Sequence, residues 1–254
     1  MRTLSILAST FSLVFSSPLS SRQSPKVPFF LLVGDSTTAI GGGWGDGFLN
    51  HTLKAPASGL NYGHSGATTV SFRAGGDWAT VLSQITTHQA DSSVYVTIQF
   101  GHNDQKAAAN ISLEQFSQNL GVFVDEVRDA GGEPILITSL TRRVFSGDPP
   151  LVVQSLANER VAAISVAEAK SSKYIDLNIA SEDYCNAIGP EASWRYNLFN
   201  ATRQGDTTHL NEWGGTVFGR LVSDLLVEKY EEVFGDWTAP NATLSALLEE
   251  GLPA

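Results

Sequence analysis

The amino-acid sequence predicts an α/β fold, with a mostly parallel sheet covered by helices on both faces. Three observations carry this expectation. Short apolar runs rich in Val, Ile and Phe recur along the chain, as strands buried on both faces do. Longer amphipathic stretches separate them, supplying the crossover helices of βαβ units. The 254 residues, 42% hydrophobic and 17% charged, suit one globular domain with a full core.

The strands expected are Val27 to Val33, a short one ending near Asn61, Val94 to Phe100, Pro134 to Thr138 and Tyr174 to Leu177. The helices expected between them are Asp77 to Gln89, Ser112 to Ala130 and Leu151 to Lys170. A last strong helix follows Asn211, a good N-cap, because Val217, Phe218, Leu221, Val222, Leu225 and Leu226 form one apolar stripe. No repeat or low-complexity linker interrupts residues 22–254, so one domain is expected. Its tail from about residue 235, with Pro240, Gly251 and Pro253, reads as a surface extension.

Residues 1–21 read as a secretory signal: Arg2 gives a positive start, Leu4 to Phe15 is mostly apolar, and small serines follow. Sequons at Asn50, Asn110, Asn200 and Asn241 fit a secreted, extracellular glycoprotein. No internal run approaches the roughly 20 apolar residues of a membrane span. A net charge of −10 argues against nucleic acid and anionic lipid as partners, since both need a basic footprint. Cys185 is the single cysteine and reads as a buried apolar residue. A monomer is expected.

In a parallel α/β sheet, ligands bind beyond the carboxyl ends of the strands. Ser36 follows the first strand, the Asn61-to-Gly66 segment the second, and Gly101-His102-Asn103-Asp104 the third, so all three fall on one edge. A serine hydroxyl becomes a nucleophile only when an imidazole takes its proton. The imidazole in turn needs a carboxylate on its other nitrogen. Asp206 and His209 are close enough for one loop to present both to Ser36. The oxyanion formed by attack needs donors, for which Ser36 N–H, Gly66 N–H and the Asn103 carboxamide are candidates.

Gly34-Asp35-Ser36, Gly66, Gly101-His102-Asn103-Asp104 and Asp206-x-x-His209 resemble, in order, the four sequence blocks of the SGNH, or GDSL, hydrolase superfamily. The fuller wording, Gly34-Asp35-Ser36-Thr37 and Phe100-Gly101-His102-Asn103-Asp104, resembles the fungal rhamnogalacturonan acetylesterase-like branch, which deacetylates pectin. The resemblance implies a three-layer α/β/α sandwich with a flavodoxin-like parallel sheet of about five strands. It implies Ser36 as nucleophile, His209 as base, Asp206 as its orienter, and Ser36, Gly66 and Asn103 as oxyanion hole. No metal or cofactor is implied. Three departures bear on substrate: Ala67-Thr68 replace the branch's Arg-Ser, Leu210-Asn211-Glu212 replace its Thr-Ser-Pro, and one cysteine cannot form its disulfides.

Other readings weigh less. Gly63-His64-Ser65-Gly66-Ala67 nearly spells a nucleophile elbow, but lacks the final glycine and a strong preceding strand. The glycines from Gly41 to Gly47 lack the lysine ending of a phosphate loop. His64, His88 and His102 lack metal-site spacing. Trp78, Trp194 and Trp213 suit either the core or sugar stacking. Any of Arg73, Arg142, Arg143, Arg195 and Arg203 can pair a uronate carboxylate. Arg73 and Trp213 are carried as candidate substrate contacts. The function expected is a secreted serine esterase that deacetylates plant cell-wall polysaccharide, with pectic rhamnogalacturonan its expected substrate. The alternatives are a GDSL lipase, lysophospholipase or general carboxylesterase, and a carbohydrate-binding protein with an inactive site.

Overall fold

The computed structural model describes residues 26–199, 201 and 205–254. The expected signal segment, the Asn200 sequon and Arg203 lie outside them.

The chain alternates strands and helices. β1 (Val27–Gly34) leads to α1 (Gly45–His51) and β2 (Ser58–Asn61), then α2 (Thr69–Ala74), α3 (Asp77–His88) and β3 (Ser92–Gln99). α4 (Leu113–Asp129) and β4 (Glu133–Ile137) follow, then a small hairpin of β5 (Phe145–Ser146) and β6 (Leu151–Val152). α5 (Ala157–Ala169), β7 (Lys173–Ile175), α6 (Leu177–Trp194), α7 (Glu212–Lys229), α8 (Glu231–Phe234) and α9 (Ala242–Glu249) complete it.

The main sheet has the order β2-β1-β3-β4-β7, with every pairing parallel. This is the flavodoxin-like order, whose switch point lies between β1 and β3. Strand alternation builds two cores. Phe30 and Leu32 face Phe48, Val217, Phe218 and Val222 of α1 and α7, with α6 and α9 in the same layer. Leu31 and Val33 face Val81, Ile85, Phe116 and Phe123, beneath α2 to α5. Burial on both sides is why β1 reads as a continuous apolar run.

Two expectations change. The helix expected from Leu151 begins only at Ala157; Leu151 and Val152 instead pair antiparallel with Ser146 and Phe145. Val153 N–H then donates to Val144 O at 2.8 Å, so the run continues the hairpin rather than opening a helix. The tail is not a surface extension. Its Pro and Gly residues bracket α9, whose Leu244 and Leu248 are buried in the core. The final Ala254 N–H lies 3.2 Å from both the Tyr184 and Tyr196 hydroxyls.

α1 and α7 meet through glycine. A Cβ on Gly47 would overlap the Gly215 carbonyl, and one on Gly219 would overlap the Phe48 backbone nitrogen. We expect Gly47→Ala to force these helices apart at a cost of about 1–3 kcal/mol. Urea unfolding would report it as a lower midpoint at unchanged slope.

Candidate active site

Ser36 stands where β1 leaves the sheet. Gly34 is required there by space, since a Cβ would overlap the Thr38 side chain and the Gln99 carbonyl. The next residue, Asp35, shapes the turn: its Oδ1 accepts from Thr37 N–H (2.8 Å) and the Thr37 hydroxyl (2.7 Å). Gln99, at the end of β3, donates to the Thr37 hydroxyl at 2.5 Å and accepts from Trp44 Nε1 at 2.9 Å. Neighbouring strands thus hold the serine turn from below.

Asp35 is fully buried, and burial pushes its carboxyl up. His102, whose Nδ1 lies 3.5 Å from Asp35 Oδ2, and the Thr37 donors outweigh this and hold it below the ordinary carboxylate value. Beyond β3, Asn103 Nδ2 donates to Ala67 O at 2.9 Å. Asp104 Oδ1 accepts from Thr69 N–H (2.8 Å) and the Thr69 hydroxyl (2.7 Å). These bonds fasten the Gly66 loop to the Asn103 loop. Gly66 has φ +79° and open space around its Cβ position, so glycine serves backbone conformation there rather than close approach.

The third segment arrives from the far end of the chain. His209 Nε2 lies 2.7 Å from Ser36 Oγ, and His209 Nδ1 lies 2.7 Å from Asp206 Oδ2. Asp206 Oδ1 also accepts from the backbone N–H groups of Thr208 and His209, both at 3.0 Å. Burial pushes the Asp206 carboxyl up, but the His209 and Thr208 bonds outweigh it and hold it below its ordinary value of 3.8. The loop is tied to its surroundings by Leu210 N–H donating to Gly42 O at 2.8 Å.

Arg143 was one of five arginines open to substrate; it is fully buried behind this loop instead. It donates to His209 O at 2.6 Å and Asn197 Oδ1 at 2.7 Å. Burial brings its guanidinium down to about 10, with Cys185 and Asp206 opposing, so it is charged at neutral pH.

Ser36, Gly66, Asn103 and His209 line one cleft of about 630 Å³, with Lys106 and Arg142 on its wall and Ile40 and Phe199 at its edge. A second groove of about 430 Å³ shares Ile40, Gly41 and Gly42 and runs to Asn50. Two expected substrate contacts lie outside this lining. Arg73 forms a bidentate pair with Glu126 over α4. Trp213, 49% exposed, donates to the Ala254 carbonyl. Trp78 is core and Trp194 donates to Arg143 O. Ser65 lines the cleft, but the neighbouring His64 imidazole is bonded to Asp77. Lys106, Ile40 and Phe199 carried no sequence signal, and Arg142 only its residue type.

Two outcomes follow from this geometry. Arg143→Met should strand the His209 carbonyl and cost about 1–3 kcal/mol, read by urea unfolding. The folded Asp206 carboxyl holds its proton less tightly than the unfolded chain does. Its contribution is therefore full well above pH 3.8 and is lost as pH falls through the lower folded value. Asp206→Asn should accordingly lose less Tm than the parent between about pH 5 and pH 3.

Residues 32–216 match the GDSL-like Lipase/Acylhydrolase family. Rhamnogalacturonan acetylesterase RhgT of Bacillus subtilis is 30% identical over 212 residues, 78% of this chain and 88% of its own. The crystal structure of Bacillus subtilis YxiM superposes with a TM-score of 0.69 at 24% identity, over 82% of this chain and 58% of that one. Axe2, an acetylxylan esterase from Geobacillus stearothermophilus, shares the fold with a TM-score of 0.56 at 19% identity, over 81% of this chain and 94% of its own. With its four sequence blocks gathered at the switch point of the sheet, this chain belongs to the GDSL-like lipase/acylhydrolase (SGNH) family of carboxylic ester hydrolases.

Proposed function

We propose that the protein is a secreted acetylesterase in which Ser36 is the nucleophile, His209 the general base and Asp206 its orienter. The unbroken line of hydrogen bonds from Ser36 Oγ through His209 to Asp206 carries this reading. Ser36 Oγ attacks the acetyl carbonyl and passes its proton to His209 Nε2. Negative charge on the carbonyl oxygen is met by Ser36 N–H, Gly66 N–H and the second N–H of Asn103. Collapse expels the sugar alkoxide, which takes the proton from His209 and leaves acetyl-Ser36. Water then attacks the acyl carbon, again giving a proton to His209, and its collapse releases acetate and restores the Ser36 hydroxyl. These steps use no metal or cofactor.

The substrate proposed is an acetylated, acidic pectic polysaccharide. RhgT is named for rhamnogalacturonan. In a chain of net charge −10, the cleft nonetheless carries Lys106 and Arg142. Among the described residues Arg142 forms no ion pair, so it can meet a uronate. Export is supported by the apolar N-terminal segment and by sequons at Asn50, Asn110 and Asn241, all three exposed.

A second reading, an esterase for longer acyl chains, draws on Ile40 (72% exposed) and Phe199 (68% exposed) at the cleft edge. An activity optimum at long-chain p-nitrophenyl esters would favour it over the acetylesterase. A carbohydrate-binding protein with a dead site fits poorly, because the whole hydrogen-bonded triad is present.

Acetate release from acetylated rhamnogalacturonan, homogalacturonan and xylan tests the reading. We expect release from the pectic substrates, none from Ser36→Ala, and a loss of about 10⁴ in kcat for Asp206→Asn. Full activity in Ser36→Ala would reject the mechanism, and release confined to xylan would reject the pectic substrate.

A further inference from the structure

Asn103 is held at both ends of its carboxamide. One N–H is committed to Ala67 O, and Oδ1 accepts from Lys106 Nζ at 2.6 Å. The turn that follows β3 makes this contact local: Lys106 N–H donates to Asn103 O at 3.2 Å, which brings the lysine stem back over the asparagine. Lys106 forms no ion pair among the described residues, so its charge is not neutralised by a neighbouring carboxylate. Both residues line the cleft that holds Ser36 and His209.

We propose that Lys106 is a positioning residue of the acyl-transfer reaction, acting through Asn103 rather than by holding substrate. The inference rests on Asn103 being an oxyanion donor, as in the function proposed above. Two effects follow from one hydrogen bond. It sets the orientation of the amide: with Oδ1 fixed by an ammonium and one N–H fixed by a carbonyl, the remaining N–H has a single direction. It also draws electron density toward Oδ1, which makes that N–H a stronger donor, since hydrogen bonds with an ionised partner are roughly twice as strong as neutral ones. The gain is largest when full negative charge sits on the substrate oxygen. Lys106 therefore favours the transition state over the ground state and appears in kcat. A cation that merely attracted an acidic polysaccharide would appear in KM, and only for charged substrates.

The test uses a neutral ester, p-nitrophenyl acetate, so that substrate charge plays no part. Lys106→Met should lower kcat about tenfold, less than the roughly 10²–10³ of a deleted oxyanion donor. KM and Tm should stay close to those of the parent. Lys106→Cys should be impaired alike and regain activity after alkylation with 2-bromoethylamine, which rebuilds an ammonium on a side chain of lysine's length with sulfur in place of the γ-methylene. The native thiol does not interfere, because Cys185 is wholly buried and burial pushes it up to about 11. A kcat within twofold of the parent in Lys106→Met would overturn the proposal. So would a defect confined to KM on pectic substrate, or a loss in Lys106→Cys that aminoethylation leaves unchanged. Ser36→Ala, assayed alongside, separates the two levels: activity there rejects the underlying mechanism, whereas an inactive Ser36→Ala with an unimpaired Lys106→Met rejects only the role of Lys106.

Discussion

The contact between α1 and α7 is the constraint on which the site depends. α1 is entered from the serine turn through Gly41 to Trp44, and α7 begins three residues after His209. The two helices are drawn together backbone to backbone at Gly47, Gly215 and Gly219. Leu210 N–H to Gly42 O extends the same seam up to the cleft. The distance from Ser36 Oγ to His209 Nε2 is thus set by packing of rigid elements rather than by the two side chains alone. A strand end and a helix start separated by most of the chain are held in one register.

The pieces behind the seam are polar and buried, and each is paired for a reason. Asp35 holds its turn through Thr37, Asp104 holds the Gly66 loop through Thr69, and Arg143 holds the histidine loop through a carbonyl. None of the three needs to meet substrate. Their burial makes each bond costly to break, since a stranded polar group in the interior keeps its full desolvation penalty.

Much of this was legible from sequence. β1, β3 and β4 came through because burial on two faces writes largely apolar runs, and α4 and α7 because their stripes are long and capped by Ser112 and Asn211. Errors arose where an apolar run had two outlets. Leu151, Val152 and Val153 suit a helix or a strand, and pairing with Val144 to Ser146 makes them a strand. Pro240 and Gly251 mark turns, but the residues between them form α9 and pack against α7. In the site, Ser36, Gly66, Asn103, Asp206 and His209 belong to local blocks that sequence displays. Arg143 contacts His209 across 66 positions, and nothing local marks that. Arginine chemistry alone also cannot separate Arg142, on the cleft wall, from Arg73, paired with Glu126.

The wide separation of Ser36 and His209 along the chain has a temporal side. Ser36 is made early in synthesis, whereas His209, and the helix that follows it, emerge only near the end. Until α7 docks on α1, the contact between His209 and Ser36 is not held, however complete the sheet. Under the proposed mechanism, hydrolytic activity therefore reports the docking of α7 on α1, which a secondary-structure signal does not.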